Sequence, residues 1–381
     1  MQLPEKPLST LITRLRLLRH KHTARHTPRH AHDQHNACKI WNRKPEESQE
    51  PGYVRLSKSR GQHLLVNQRI LDSIVRKSNI MPTDTVLEIG PGTGNLTIKL
   101  LQAARRVVAV EVDERMVEAV SNRAAEHELR HKLTVIGEDA LKAEFPQFDL
   151  VVANIPYNIS SPLVGKIVFG GSSYRSATLL LQKEFARRLL ANPGDSEYNR
   201  LAVNVKLVAD VELVMGVSKR EFVPCPRVDS SVVIIRPKAE IPNVDLAEWR
   251  AFTRTCFNKK NKTLGATLKQ KKKVTELLQI FSGARVGEAT DPSDSCCGLL
   301  DGFDDESDDD DSPNGRSAPE SETGASFFKE KIVQVLTKVG YEDRRPSKIS
   351  NQEFLHLLKQ FNQAGIYFHP ASSRQPRRVA S

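Results

Sequence analysis

The chain has 381 residues, enough for two domains with appendages, and carries a formal net charge of +11 at pH 7. No apolar run reaches the roughly 20 residues that span a bilayer, and the five cysteines, Cys38, Cys225, Cys256, Cys296 and Cys297, make neither a CxxC pair nor a zinc set with histidine. The expectation is a chain with no membrane span, no disulfide framework and no metal, whose basic balance, kept despite an acidic run near residue 305, calls for a polyanionic partner such as nucleic acid.

Between Lys6 and His32 there is no acidic residue, while Arg14, Arg16, Arg19, Lys21, Arg25 and Arg29 recur beside the short apolar face of Leu11, Ile12, Leu15, Leu17 and Leu18. Residues 1–55 therefore read as a disordered basic arm of presequence type, which points to the mitochondrion. A nucleic-acid-binding or nuclear arm shares that composition, so nucleolar and plastid locations stay open.

Folded sequence starts at Gly61-Gln62-His63-Leu64-Leu65, followed by helical spacing at Ile70, Ile74 and Val75. Thr85 to Ile89 is a buried strand, Gly90-Pro91-Gly92-Thr93-Gly94 a glycine loop, Asn95 to Ala104 an amphipathic helix, and Val107 to Val110 a second strand ending at Glu111. This βαβ unit, with an acidic residue about 20 positions after the loop begins, is the arrangement that binds an adenosine ribose. The loop spacing is GxGxG, since Asn95 and Thr97 stand where a dinucleotide fingerprint needs its third glycine, and no Lys-Ser/Thr pair follows to make a P-loop. A nucleoside cofactor without a pyrophosphate fits better, and S-adenosyl-L-methionine is the common one. Gly90, Gly92 and Gly94 would let the backbone approach it and Glu111 would take the ribose hydroxyls. A purely structural turn is the competing reading.

Leu133 to Ile136 is a third strand leading to Gly137-Glu138-Asp139, where a carboxylate can accept from an adenine amino group. Asp149 to Ala153 is a fourth, ended by Asn154-Ile155-Pro156-Tyr157. An amide has no packing reason to close a strand, and Pro156 removes a donor and stiffens the chain before an aromatic ring. These strand ends and the glycine loop converge on the crevice where open parallel sheets bind ligands, so residues 56–240 are expected to form an α/β, Rossmann-like doubly wound sheet.

Ala177 to Leu181 makes a fifth strand, Lys183 to Ala191 a basic helix with Arg187 and Arg188, Asn199 to Ala209 a helix, and Val211 to Val217 with Ser231 to Ile235 the closing strands around the loop from Phe222 to Arg227. Residues 241–282 turn helical, with a stripe of Leu246, Trp249, Phe252, Cys256 and Phe257 before Lys259, Lys260 and Lys262; those lysines are either a solvated face or a phosphate-contacting surface. Residues 283–326, with Asp304-Asp305-Glu306 and Asp308 to Asp311, read as an acidic disordered linker. Residues 327–370 hold two helices that complete the helical domain, and 371–381 form a basic tail.

Seven ordered motifs, GQHLL at 61–65, EIGPGTGNLT at 88–97, EVD at 111–113, GED at 137–139, NIPYNISSP at 154–162, QKEFARRL at 182–189 and FVPCPRVDSSVV at 222–233, resemble those of the KsgA-type ribosomal RNA adenine dimethyltransferases. The stretch from Gly340 to Ile366 resembles the ending of the eukaryotic branch, while Asn158 is closer to the bacterial form, which favours an organellar member. The resemblance implies a class I methyltransferase sheet with a smaller C-terminal helical domain. It implies an S-adenosylmethionine site at Gln62, His63, Leu65, Gly90, Gly92, Gly94, Glu111, Asp139 and Asn154, and target-base residues Asn154, Pro156 and Tyr157. The implied substrate is small-subunit rRNA in the immature small ribosomal subunit, two adjacent adenosines being dimethylated by a monomer, with a further role in subunit assembly. A non-catalytic nucleic-acid-binding factor of the same fold is the alternative. A DNA or protein-glutamine methyltransferase is disfavoured by Ile155, where those enzymes carry a second proline.

The exocyclic amino nitrogen of adenine is a poor nucleophile because its lone pair is delocalised. If the Asn154 side-chain oxygen and the backbone carbonyl of Ile155 or Pro156 each accept an amino hydrogen, the lone pair is localised and aimed. Tyr157 would stack on the unstacked base, Phe222 would be a second ring, and Arg187, Arg188, Lys259, Lys260 and Lys262 would meet the RNA.

Overall fold

The computed structural model describes residues 62–282 and 320–370, with side chains from residue 324 in the second stretch. The basic arm at 1–55, residues 283–319 of the acidic linker and the tail at 371–381 lie outside the described residues. Seven strands, β2 (Thr85–Ile89), β3 (Arg106–Val110), β4 (Leu133–Ile136), β5 (Leu150–Asn154), β6 (Ser176–Gln182), β7 (Ala209–Val217) and β9 (Ser230–Pro237), form one sheet in the order β4-β3-β2-β5-β6-β9-β7. The first five in that order run parallel, and β9 lies antiparallel to both β6 and β7. A separate two-stranded ribbon pairs β1 (Leu64–Leu65) with β8 (Phe222–Val223).

Parallel strands covered on both faces are largely apolar and buried along their length, which is how β2, β5 and β6 read apart from Glu88, Thr178 and residues at the strand ends. The period-two alternation of side chains then divides the core. Val151, Ala153, Leu179 and Leu181 face one hydrophobic cluster, while Leu150, Val152 and Leu180 face the other. The second cluster is closed by α1 (Gln68–Lys77), α2 (Asn95–Ala103) and α3 (Glu114–Glu126), through Leu71, Leu100 and Val120. The first is closed by α4 (Ser160–Phe169), α5 (Lys183–Leu190) and α6 (Arg200–Val208), through Leu163, Leu189 and Leu201. Each fully buried aliphatic side chain contributes about 1.5–3 kcal/mol, so a slip of one residue in register would be prohibitive.

The C-terminal helices α7 (Leu246–Cys256), α8 (Leu264–Leu268), α9 (Lys271–Phe281), α10 (Glu320–Val339) and α11 (Asn351–Gln363) extend that first cluster without a break. Trp249, Phe252, Phe354, Phe361 and Phe368 meet edge to face or tilted, with Phe252 and Phe368 4.9 Å apart. Glu248, buried on α7, accepts the backbone N–H groups of Phe368 and His369 at 2.9 and 2.8 Å and so ties down the end of the described chain. Tyr198 and Asn351 add hydrogen bonds to the carbonyls of Ile349 and Val203.

Three features depart from the expectation. Helices α3 and α4 and the β1–β8 ribbon are additional. The helical stretch at 241–282 is three helices, broken at the exposed Asn258–Lys262 turn and at Gln270. The linker boundary moves, because α10 begins at Glu320 and Ala325, packed against the core one turn before Phe328, already belongs to its apolar stripe. At the point where strand order reverses, between β2 and β5, the C-terminal ends of β2, β3 and β5 open into a cleft.

Candidate active-site cleft

The cleft is open to solvent, and the space within it out to the mouth, solvent included, is about 840 Å³. It is lined by Gln62, His63, Leu64, Leu65, Leu71, Glu88, Gly90, Pro91, Gly92, Asn95, Leu96, Glu111, Val112, Met116, Asn154, Ile155, Pro156 and Tyr157. Residues about 90 positions apart in sequence, such as His63 and Asn154, thus meet because β1 crosses the ends of the sheet strands.

The glycine loop makes the floor. Gly90 has φ +66°, a left-handed conformation that favours glycine, and its Cα faces the Pro156 ring, so the glycine loop and the Asn154–Tyr157 turn lie against each other. Gly94 has another use. It is not among the lining residues; it caps α2 in the left-handed conformation, and a Cβ would meet Val120 of α3 at 3.2 Å. What the structure gives it is a place at the start of α2, close against α3.

Two carboxylates line the cavity. Glu111 accepts the Asp113 backbone N–H at 3.0 Å; burial raises its pKa, neighbouring backbone donors pull it back, and the Asp113 charge pushes it up again. Asp113 itself is held well below the usual carboxylate range by the Arg115 guanidinium, and it also accepts from Gln62 Nε2 at 3.0 Å. The second carboxylate, Glu88, is fully buried and one of its oxygens has no hydrogen-bond partner. Burial pushes its pKa up to about 8; the neighbouring Thr97 hydroxyl offsets part of this from outside hydrogen-bonding geometry, and the Glu111 charge adds to it. An orphaned buried carboxylate in a cleft fits a cofactor that brings positive charge and donors, as S-adenosylmethionine does with its sulfonium and ammonium.

On the opposite wall Asn154, His63 and Tyr157 are each tethered by one polar atom. Asn154 Nδ2 donates to the His63 carbonyl at 3.1 Å. Because a carbonyl only accepts, the amide nitrogen must face His63 and Oδ1 is left to accept from a ligand. His63 Nδ1 lies 2.8 Å from the Pro224 carbonyl, which by the same argument gives Nδ1 the proton. Tyr157 stacks on His63 with ring centres 5.7 Å apart, and its hydroxyl lies 2.7 Å from Ser230 Oγ. The Pro156 carbonyl already accepts from the Ile159 N–H and from Ser160 Oγ. Asn95 Nδ2 donates to the Leu65 carbonyl and Arg123 to Asn95 Oδ1, so residues 62–65 are strapped across the cleft at Asp113, Asn154, Pro224 and Asn95.

Of the expected cofactor residues, Gln62, His63, Leu65, Gly90, Gly92, Glu111 and Asn154 come together in the cleft. Asp139 does not line it; its Oδ1 accepts the Leu141 N–H and its carbonyl starts the next turn. Asn154, Pro156 and Tyr157 form one wall. Phe222, 2 % exposed, packs with Leu65 and Leu71 because β8 pairs with β1, and it is not among the residues that line the cleft. Arg187, Lys259 and Lys262 are exposed and Arg188 and Lys260 partly so, none of them in the cleft. Sequence reasoning missed Glu88, Asn95, Val112 and Met116. A charged residue inside an otherwise apolar strand was the available signal for Glu88, and Val112, 60 % exposed at a strand end, offers apolar surface to a planar base. Among the described residues no group of three or more His, Cys, Asp or Glu could hold a metal ion, and no helix is long and apolar enough to cross a membrane.

Residues 54–292 match the ribosomal RNA adenine dimethylase family. The chain is 61 % identical over 331 residues to a mitochondrial ribosomal RNA small subunit methyltransferase of Arabidopsis thaliana, covering 87 % of this chain and 85 % of that protein. A second Arabidopsis ribosomal RNA small subunit methyltransferase is 46 % identical over 342 residues, covering 87 % and 97 %. Among solved structures, a dimethyladenosine transferase from Plasmodium falciparum superposes with a TM-score of 0.65 at 36 % identity, over 80 % of this chain and all of that one. The 23S rRNA methyltransferase ErmE, at 23 % identity and a TM-score of 0.51 over 78 % of this chain and 99 % of that one, shares the fold.

Proposed function

The chain belongs to the ribosomal RNA adenine dimethylase family, and from that premise we propose how its cleft carries out the reaction. It is an S-adenosylmethionine-dependent rRNA adenine dimethyltransferase. The observation that carries our reading of the site is the orientation of Asn154, whose nitrogen is committed to the His63 carbonyl and whose oxygen is therefore the acceptor offered to the cleft.

The bound cofactor supplies an electrophilic methyl on a sulfonium, with a neutral thioether as leaving group. Glu111, Glu88, Gly90 and Gly92, which line the cleft, would hold it. Asn154 Oδ1 accepts one amino hydrogen of the target adenine. The second acceptor is the Ile155 carbonyl, a reading supported by the Pro156 carbonyl already having two donors. Two acceptors draw the nitrogen towards tetrahedral geometry, and fixed positioning of this kind is worth on the order of 7–11 kcal/mol in favourable intramolecular cases. Pro156, packed against Gly90, keeps the turn rigid. Tyr157 stacks on the base with the face that His63 leaves open. As the nitrogen takes the methyl it becomes cationic and acidic and gives up a proton to water, so no strong base is needed, which agrees with a wall of amide, carbonyl and phenol.

The substrate is rRNA of the small subunit, with two adjacent adenosines near its 3′ end as the targets. Methylating a 3′-terminal hairpin with wild-type and Asn154→Ala protein, then reading it by primer extension, tests this. A dimethyladenosine stop from the wild type and none from the variant is the expected result. An unchanged stop from the variant removes Asn154 from the mechanism, and no stop from either removes this hairpin as substrate. We also place the protein in the mitochondrion, on the acid-poor basic stretch from Lys6 to His32 and the name of the 61 % identical relative. A fluorescent fusion of residues 1–60 that stays out of mitochondria would overturn that location.

A further inference from the structure

A base that reaches Asn154 must leave its sugar and flanking phosphates outside the cleft, against whatever surrounds Tyr157. Two segments do so. Ser230, at the start of β9, meets the Tyr157 hydroxyl, and the loop before it supplies the Pro224 carbonyl to His63. The Asp229 carbonyl accepts the Lys183 N–H at the start of α5, and Asp229 Oδ1 accepts the Lys219 N–H, which closes residues 218–229 into a loop whose two ends adjoin. Lys219 Nζ braces that loop on the Arg227 carbonyl at 3.2 Å.

This surface is strongly cationic. Lys183, Arg187, Lys219, Arg220 and Arg227 are all exposed, and none makes an ion pair among the described residues. Glu184 and Asp229 lie close enough to Tyr157 to act on its charge, and Glu221 is committed to Asn67. The cations outnumber these carboxylates. Single-stranded RNA is gripped by such a groove along its phosphates while an aromatic platform takes the base.

We propose that the loop 218–229 and the first turn of α5 form a phosphate-contacting rim that holds the RNA backbone on both sides of the target adenosine, with Arg220 and Arg227 as its principal contacts. This rests on the reading of Asn154 and Tyr157 as the target wall. The rim is distinct from the Lys259–Lys262 turn, which lies in the helical part of the chain.

The test uses the full chain and an RNA hairpin with two adjacent loop adenosines, with binding measured by fluorescence anisotropy from low to high salt. Removing one phosphate-binding cation should lower the slope of log affinity against log salt by about 0.7, so Arg220→Ala/Arg227→Ala should lower it by about 1.4. Lysine at both positions should keep the wild-type slope, since it keeps the charge. Arg76→Ala/Lys77→Ala on α1, exposed and remote in the chain, is the control and should leave the slope unchanged. A wild-type slope in the alanine double variant, or an equal drop in the control, overturns the rim. Should the double variant lose its fold, Arg227→Gln carries the same test at half the change. Asn154→Ala separates the two readings: if it is inactive with a normal slope and the arginine variant also has a normal slope, only the rim falls. If Asn154→Ala still methylates, the target wall itself is wrong.

Discussion

On one side of the cleft Glu88 and Glu111 are buried side by side, one with an oxygen that bonds to nothing and both with pKa values pushed up by burial. On the other side Asn154, His63 and Tyr157 each have a polar atom tied to a fixed partner. The cofactor wall holds unmet electrostatic demand, which a cationic ligand relieves, and the folded state bears that cost until the ligand arrives. On the proposed target wall each tether fixes a side chain and leaves Asn154 Oδ1 open to a ligand, so its contribution is geometry held in advance. The same few residues, 62–65, tie the two walls together.

The largest expected effect breaks the target wall. Asn154→Ala removes an aimed acceptor, and loss of one such preorganised group commonly lowers turnover by about 10²–10³. Single-turnover methylation should show that drop while RNA affinity stays within a few fold; a small drop would mean that the backbone carbonyl does the positioning alone.

Next comes the cofactor wall. Glu111→Ala should weaken S-adenosylmethionine binding by roughly 1.5–3 kcal/mol if charged hydrogen bonds to the ribose are lost, which calorimetry would read as about a ten- to hundredfold rise in Kd. An unchanged Kd would sink the ribose assignment.

Glu88 sharpens the contrast through stability. Its carboxyl keeps a proton to about pH 8 when folded but only to about 4.5 when unfolded. Folding therefore takes up a proton between those values. The associated stability is fully present below pH 4.5 and is lost as the pH rises towards 8. Glu88→Gln should flatten that decline and stabilise the ligand-free protein at about pH 8 by about 1–3 kcal/mol, measured by chemical denaturation at about pH 5, 6.5 and 8. A variant as pH-sensitive as the wild type would show that the carboxylate is neutralised some other way.

The smallest effect belongs to Tyr157→Phe. It keeps the ring and loses the bond to Ser230, worth about 0.5–1.5 kcal/mol. Activity should fall only a few fold, and Ser230→Ala should add little on top of it in a double-mutant cycle. Full additivity would mean that the two hydroxyls act independently.

Much of this was legible in the chain itself. An apolar strand, GxGxG and an acid at the end of the next strand specify a βαβ cofactor unit, because backbone approach and ribose hydrogen bonding each demand particular residue types at particular spacings. Asn154-Ile155-Pro156-Tyr157 was conspicuous for a related reason, since an amide and a proline have no place ending a buried strand unless they are used.

Other placements depend on partners distant in sequence. Phe222 looked like a loop aromatic and Gly94 like a cofactor glycine. The first became core because β8 pairs with β1, 157 positions earlier in the case of Leu65, and the second became a helix contact because α3 packs on α2. No local pattern encodes either. The choice between Ile155 and Pro156 as second acceptor likewise depended on which carbonyl the following 3₁₀ turn had already used.

The sequence by itself determined the element types, the doubly wound sheet and the chemistry class, since periodicity, glycine spacing and strand-end residues act locally or through one covalent neighbour. Tertiary structure alone decided which way Asn154 faces and which carboxylate is left unpaired. Those depend on hydrogen bonds and burial between residues far apart in the chain, such as Asn154 with His63, and a one-dimensional pattern holds no record of them.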